Sequence, residues 1–276
     1  MKNKAKTIQI FLPNGEPTGI RIAEITTGIL RVIEVPRTML EDFFAMEESS
    51  QVGIYFLFGD DDKLYIGQSG DLKSRLSQHN KTKEFWNKAV VVLSLTNNLT
   101  QTHALFLEWL SINQTKQAER YALENGNQGC KPHAPAPLEA DCHTFFEQMK
   151  VVIGTLGYPL FKSLVSKKAS DDELFYCKRN GVNGTGLYTN EGFVLLKGST
   201  GQAVVAELYK DKLPKLRSEL LASGDAIIED DRLVLQKDIL FQTPSGASNL
   251  LICMSTNGWT EWKDKNGTTL SDLKRK

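Results

Sequence analysis

The chain has 276 residues, 41% of them hydrophobic and 24% charged, and this ordinary globular usage excludes a wholly disordered or fibrous polymer. Lysine plus arginine equal aspartate plus glutamate at 33 each, which excludes a global basic field as the source of nucleic-acid affinity but leaves room for a local patch. No apolar run approaches the roughly 18 residues of a membrane span, the opening Met1-Lys2-Asn3-Lys4 leads into no apolar signal core, and four scattered cysteines form no CxxC pair, so the expectation is a cytoplasmic protein with reduced thiols and no membrane partner.

Residues 1–48 read as a β-rich lead-in element. Strand-like runs at 7–12, 19–25 and 29–35 are separated by glycine, proline and asparagine, as in Pro13-Asn14-Gly15. A short helix follows from about residue 38 to about 46, with Leu40, Phe43 and Phe44 on one side.

Residues 53–79 hold the densest pattern. Gly53-Ile54-Tyr55 opens an apolar strand over 53–58, Asp60-Asp61-Asp62 turns, and the chain returns as a strand at 63–66. The three aspartates read better as a solvated turn tip than as metal ligands, since nothing nearby completes a coordination sphere. Tyr65-Ile66-Gly67 lies in the returning strand, and Gly67 to Gly70 is a flexible corner. Asp71 caps a helix over 72–79, on which Arg75 and His79 sit four apart and share a face. One local unit can thus gather Tyr55, Tyr65, Arg75 and His79. An arginine fork suits a phosphate, and histidine or tyrosine can move a proton.

The apolar run 89–95 reads as a strand buried on both faces. Thr100 caps a helix from 101 to about 121, in which Glu108 interrupts Ala104-Leu105-Phe106-Leu107 and Trp109-Leu110. A carboxylate among such neighbours is costly to bury unless compensated. Either it faces solvent or a cation resolves the cost, and a magnesium-like ion would need only a few carboxylate oxygens plus water and phosphate. Residues 122–137 are a Gly/Asn/Pro-rich loop, and 138–156 a helix. Within this region Cys130, His133, Cys142 and His143 match no zinc spacing, and unpaired thiols with surface histidines are the better reading.

Residues 162–172 read as a linker. From 174 onward strands alternate with glycine turns, and helices are expected at 213–222 and after Thr243-Pro244. Trp259 and Trp262 either stack on bases or pack a core, the core being favoured in a small β-rich unit. The segment 210–217 is basic on part of its surface, which reads as a solvated face before a phosphate contact.

Taken together, Gly53-Ile54-Tyr55, Tyr65-Ile66-Gly67, Arg75 with His79, and Glu108 on the later helix resemble, in order and spacing, a GIY-YIG endonuclease over about residues 50–125. The resemblance implies an α/β (α+β) domain with a three-stranded antiparallel sheet flanked by helices, and hydrolysis of DNA phosphodiesters with one divalent ion, Mg2+ or Mn2+, held by Glu108. It implies Tyr65 as the general base with Tyr55 beside it, His79 assisting the proton transfer and Arg75 on the scissile phosphate. The substrate-binding set is Gly67, Gln68, Arg75 and Asn125. Relatives often carry an asparagine where this chain has Arg120; Asn125, or else Asn127, is near enough to replace it. Some relatives also have a lysine where Gln68 stands.

Residues 174–273 resemble a C-terminal domain of unknown function that recurs behind GIY-YIG domains and in restriction-associated proteins. The pieces that match are Gly192-Phe193-Val194-Leu195, Phe241-Gln242-Thr243-Pro244 and Asn257-Gly258-Trp259. The division expected is a β-rich element at 1–48, a nuclease domain at 49–131, a helical connector at 132–172, and a C-terminal α+β domain at 173–276 that binds DNA or a partner. Restriction, defence and repair are the settings the resemblance points toward. Two readings stand: a metal-dependent endonuclease acting on DNA, or an idle scaffold of the same fold that binds nucleic acid or serves as an adaptor. Assembly into a homo-oligomer stays open.

Overall fold

The computed structural model of the chain describes residues 5–126, 130–165, 171–203 and 214–275. By its contacts the chain forms two units, Met1–Ser163 and Leu164–Lys276.

The first unit is built on β1 (Ile8–Phe11), β2 (Arg21–Ile25), β3 (Leu30–Pro36), β4 (Gly53–Gly59), β5 (Lys63–Ser69), β6 (Trp86–Ser94) and β7 (Ala122–Leu123). They make one sheet in the order β1-β2-β3-β6-β4-β5-β7. Every pairing is antiparallel except β5 with β7. The three-stranded antiparallel core β6-β4-β5 is present, and it is the middle of a wider sheet. β3 joins it by pairing along β6, from Leu30 opposite Ser94 to Pro36 opposite Lys88. The lead-in strands are therefore structural neighbours of the central strands.

Strand alternation divides the side chains between two layers. Ile54, Phe56, Phe58, Val90 and Val92 face α3 (Gln101–Ala118) and α4 (Ala136–Thr155). Tyr55, Leu57, Ala89 and Val91 face α1 (Leu40–Phe44) and α2 (Leu72–Thr82). With a layer on each side, β6 must be apolar throughout, which its Ala89–Leu93 stretch is. Helix α4 buries Cys142, Phe146, Met149, Val152 and Ile153 in the first of these layers. The stretch expected as a connector thus supplies core to the first unit, because its apolar stripe is wide enough to need a partner surface.

The second unit contains β8 (Leu174–Arg179), β9 (Val182–Thr189), β10 (Gly192–Leu195), β11 (Thr200–Gln202), β12 (Ala226–Glu229), β13 (Arg232–Leu235) and β14 (Ile239–Phe241). Their order is β12-β13-β11-β9-β10-β14, with β8 paired to β9. Helices α5 (Pro214–Ser223), α6 (Pro244–Ile252), α7 (Gly258–Glu261) and α8 (Leu270–Lys274) complete it. Trp262 is a core residue whose indole N–H donates to Pro244 O at 2.9 Å. Trp259 is half-buried, with the Arg275 guanidinium 3.6 Å from its ring centre. Lys210 and Lys212 of the expected basic segment lie outside the described residues. Arg217 is buried, donating to Cys253 Sγ at 3.1 Å and to the carbonyls of Gln202 and Ala203, so it faces inward. No helix among the described residues is long and apolar enough to cross a membrane.

Candidate active site

The β4–β5 hairpin fixes the first two groups. Asp61 and Asp62 have φ of 54° and 56°, and Lys63 N–H bonds Asp60 O at 3.2 Å. That is the two-residue turn whose twist suits a hairpin, and aspartate tolerates its left-handed backbone. The aspartates are a turn tip. The turn sets Tyr55 opposite Gly67 and Leu57 opposite Tyr65. Both tyrosines therefore emerge on the α2 side, their ring centroids 6.3 Å apart and nearly parallel. Gly67 is required by this arrangement: a Cβ there would collide with the Tyr55 ring and hydroxyl. It shapes the site by what it lacks.

Helix α2 supplies the next two. Asp71 caps it, accepting from Ser74 N–H at 3.4 Å. The helix runs to Thr82, three residues past the expected end. Arg75 Nε–H donates to the Tyr55 hydroxyl at 3.2 Å, and Tyr55 Oη lies 2.8 Å from His79 Nε2. Tyr65 adds to the forces that keep Arg75 protonated. With the Tyr55 hydroxyl donating to Nε2 the imidazole proton sits on Nδ1, and in the other tautomer Nε2–H donates to the Tyr55 oxygen. That Nδ1 is buried and has no hydrogen-bond partner among the described residues. Lys83, just beyond the helix, holds its ammonium 4.3 Å from the Tyr65 ring centre.

Burial and charge set the proton affinities. Burial, then the charges of Arg75 and Lys83, pushes His79 down to about 4, so the ring is neutral at neutral pH. Burial pushes the Tyr55 phenol up, against the hydrogen bond from Arg75. That same bond holds Arg75 more firmly protonated.

Glu108 comes from the middle of α3, whose Thr100–His103 capping box sets the helix start. It is half-buried, and the Gln68 N–H acts on its carboxylate. Burial pushes its carboxyl up, opposed by Arg75. Tyr55 feels its charge as well. The carboxylate therefore belongs to the same electrostatic neighbourhood as the tyrosines and the arginine. Among the described residues no three His, Cys, Asp or Glu side chains cluster as a metal cage. A lone half-buried carboxylate within the field of the Arg75 guanidinium fits a hard divalent ion that takes its other ligands from water and substrate.

Residues 51–128 match the family model of the GIY-YIG catalytic domain, and residues 175–274 match that of a domain of unknown function, DUF4357. The chain carries a GIY-YIG catalytic domain. No curated protein and no solved structure matches it.

Within the GIY-YIG domain, a nuclease-type fold, Tyr55, Tyr65, Arg75 and His79 converge, and Glu108 is coupled to them. Two expectations change. Asn125, expected at the substrate, spends its amide on the backbone: Oδ1 accepts from Ile66 N–H at 3.0 Å and Nδ2 donates to Ile66 O at 2.7 Å. It seals the edge of β5 where no strand follows. Asn127 lies outside the described residues, and Arg120 donates to Lys162 O at 2.5 Å. Gln68 contributes its backbone N–H, while its side chain is bonded to Gln101. Of the four soft side chains between 130 and 143, Cys142 is buried on α4, Cys130 and His133 are exposed, and His143 packs on Phe106. Sequence reasoning passed over Lys83, although Arg75, His79 and Lys83 follow one another at four-residue steps.

Proposed function

We propose that the chain is a divalent-metal-dependent endonuclease that hydrolyses DNA phosphodiester bonds. The observation that carries this reading is the Tyr55 hydroxyl, held by Arg75 on one side and His79 on the other. Tyr55 is the better proton carrier of the two tyrosines, and the base expected at Tyr65 moves to it, because Tyr55 has an acceptor behind it. As water attacks phosphorus, its proton passes to Tyr55 Oη while the Tyr55 proton passes to His79 Nε2. Neither a free phenolate nor a change in the number of protons is needed. Neutral His79 can accept at any pH well above about 4.

Arg75 binds a non-bridging phosphate oxygen and neutralises the charge that builds there. Tyr55 is closed to solvent and Arg75 half-exposed over it, so a phosphate that draws the guanidinium outward also uncovers the phenol. Tyr65, half-buried alongside, orients the water or the phosphate. Glu108 would hold magnesium or manganese, which supplies neutralisation of the departing oxygen.

Conversion of supercoiled plasmid with magnesium or manganese tests the reading. Wild type is expected to nick, with Glu108→Ala slower by about 10²-fold or more, on the scale of lost transition-state stabilisation. Equal background nicking by both proteins would leave the idle scaffold as the correct reading.

A further inference from the structure

Charge on this chain balances overall, 33 against 33, yet residues 72–83 contain Lys73, Arg75, Lys81 and Lys83 and no acidic residue. Helix α2 is therefore a local basic ridge that leads out of the candidate active site. Along it, Arg75, His79 and Lys83 are spaced i, i+4, i+8, which places them in a line about 12 Å long at 1.5 Å per residue. The Lys83 N–H bonds His79 O at 2.9 Å, so the point from which its side chain departs is fixed by the helix end.

The Lys83 ammonium rests over the Tyr65 ring and makes no ion pair among the described residues. A half-exposed cation on an aromatic face is only weakly held. A phosphate contact releases condensed counterions as well, and that outweighs such a resting place. After burial, Arg75 and Lys83 both lower the proton affinity of His79, so their charges act on the same neighbourhood, where an anion would meet two cations.

We propose that Lys83 is a substrate-binding residue that takes a backbone phosphate next to the one held by Arg75, so that α2 is the track along which the polynucleotide strand lies. This rests on the nuclease reading above and extends it: the site is built for a chain of phosphates, and a single phosphomonoester would leave Lys83 unused.

Binding of a duplex oligonucleotide to the full chain carrying Glu108→Gln, followed by fluorescence anisotropy between about 50 and about 200 mM salt, tests this. Adding Lys83→Met is expected to weaken binding several-fold and to reduce the slope of log K against log salt by about 0.9, the share of one duplex phosphate contact. Lys83→Arg should keep the slope. Lys83→Gln supplies the same readout if the methionine variant does not fold. An unchanged slope in the charge-removing variants, with metal-dependent nicking by wild type intact, overturns the Lys83 assignment and leaves the nuclease reading standing. A parent that binds no oligonucleotide removes both.

Discussion

His79 is held far from its behaviour in water by its environment. Its ordinary value of 6.5 falls to about 4 in the folded chain. Between those limits the unfolded chain binds a proton at this position and the folded chain does not. Stability at this residue is thus fully present above 6.5 and declines as pH drops toward 4, by on the order of 3 kcal/mol. Denaturant unfolding measured across that window should show the decline, and His79→Gln should flatten it by one proton. If the two slopes are the same, the imidazole is not buried neutral. Gly67 makes a second demand at this scale. Gly67→Ala drives a methyl into the Tyr55 ring, so a loss of about 1–3 kcal/mol is expected, with activity falling further because the phenol must move. Melting temperature and nicking rate, measured together, check it. A variant as stable and as active as wild type would mean that the ring does not lie where it is described.

At the scale of elements, the outward edge of β5 is closed in three different ways. Leu64 O accepts from Glu124 N–H at 2.8 Å, beside the short strand β7. Ile66 is bonded at both backbone atoms by the Asn125 amide. Gln68 N–H acts on the Glu108 carboxylate. Asn125→Ala should leave two partly buried peptide groups unpaired, costing about 1–3 kcal/mol, and should slow nicking by moving β5 without abolishing it. Complete loss of activity with unchanged stability would instead return Asn125 to the substrate. The elements themselves were legible because their signals are local: the hairpin from its turn residues, α2 and α3 from Asp71 and Thr100, and β6 from its apolar run. The partner of Asn125 was not legible. An amide that bonds a backbone fifty-nine positions away has the same sequence signature as one that bonds a phosphate.

Across the whole molecule, the pairing of β3 with β6 is what sequence periodicity could not reach, since alternation fixes which face a residue occupies but not which strand lies beside it. The same holds for α4: Phe146, Met149 and Ile153 announce a buried face without naming its neighbour. A consequence can be measured. Residues 51–128 alone would expose one side of β6 and lose Ile33, Val35 and Phe43 from the core. That fragment is expected to aggregate or remain unfolded, whereas residues 1–163 should melt cooperatively and retain metal-dependent nicking, because the buried cores of the two units are formed from separate sets of residues. Circular dichroism and plasmid assays on the two fragments check this. A cooperative melt of the shorter one would show that the outer strands are dispensable.

The influence of the Gln68 amide on the Glu108 carboxylate gives the site a built-in reporter. An amide proton shielded by a side chain rather than by a neighbouring strand has one group guarding it. Its deuterium exchange should quicken when that group is removed, and change again when the carboxylate turns to a cation. Occupancy of the centre would thereby be readable at a single backbone position, with no nucleic acid in the tube.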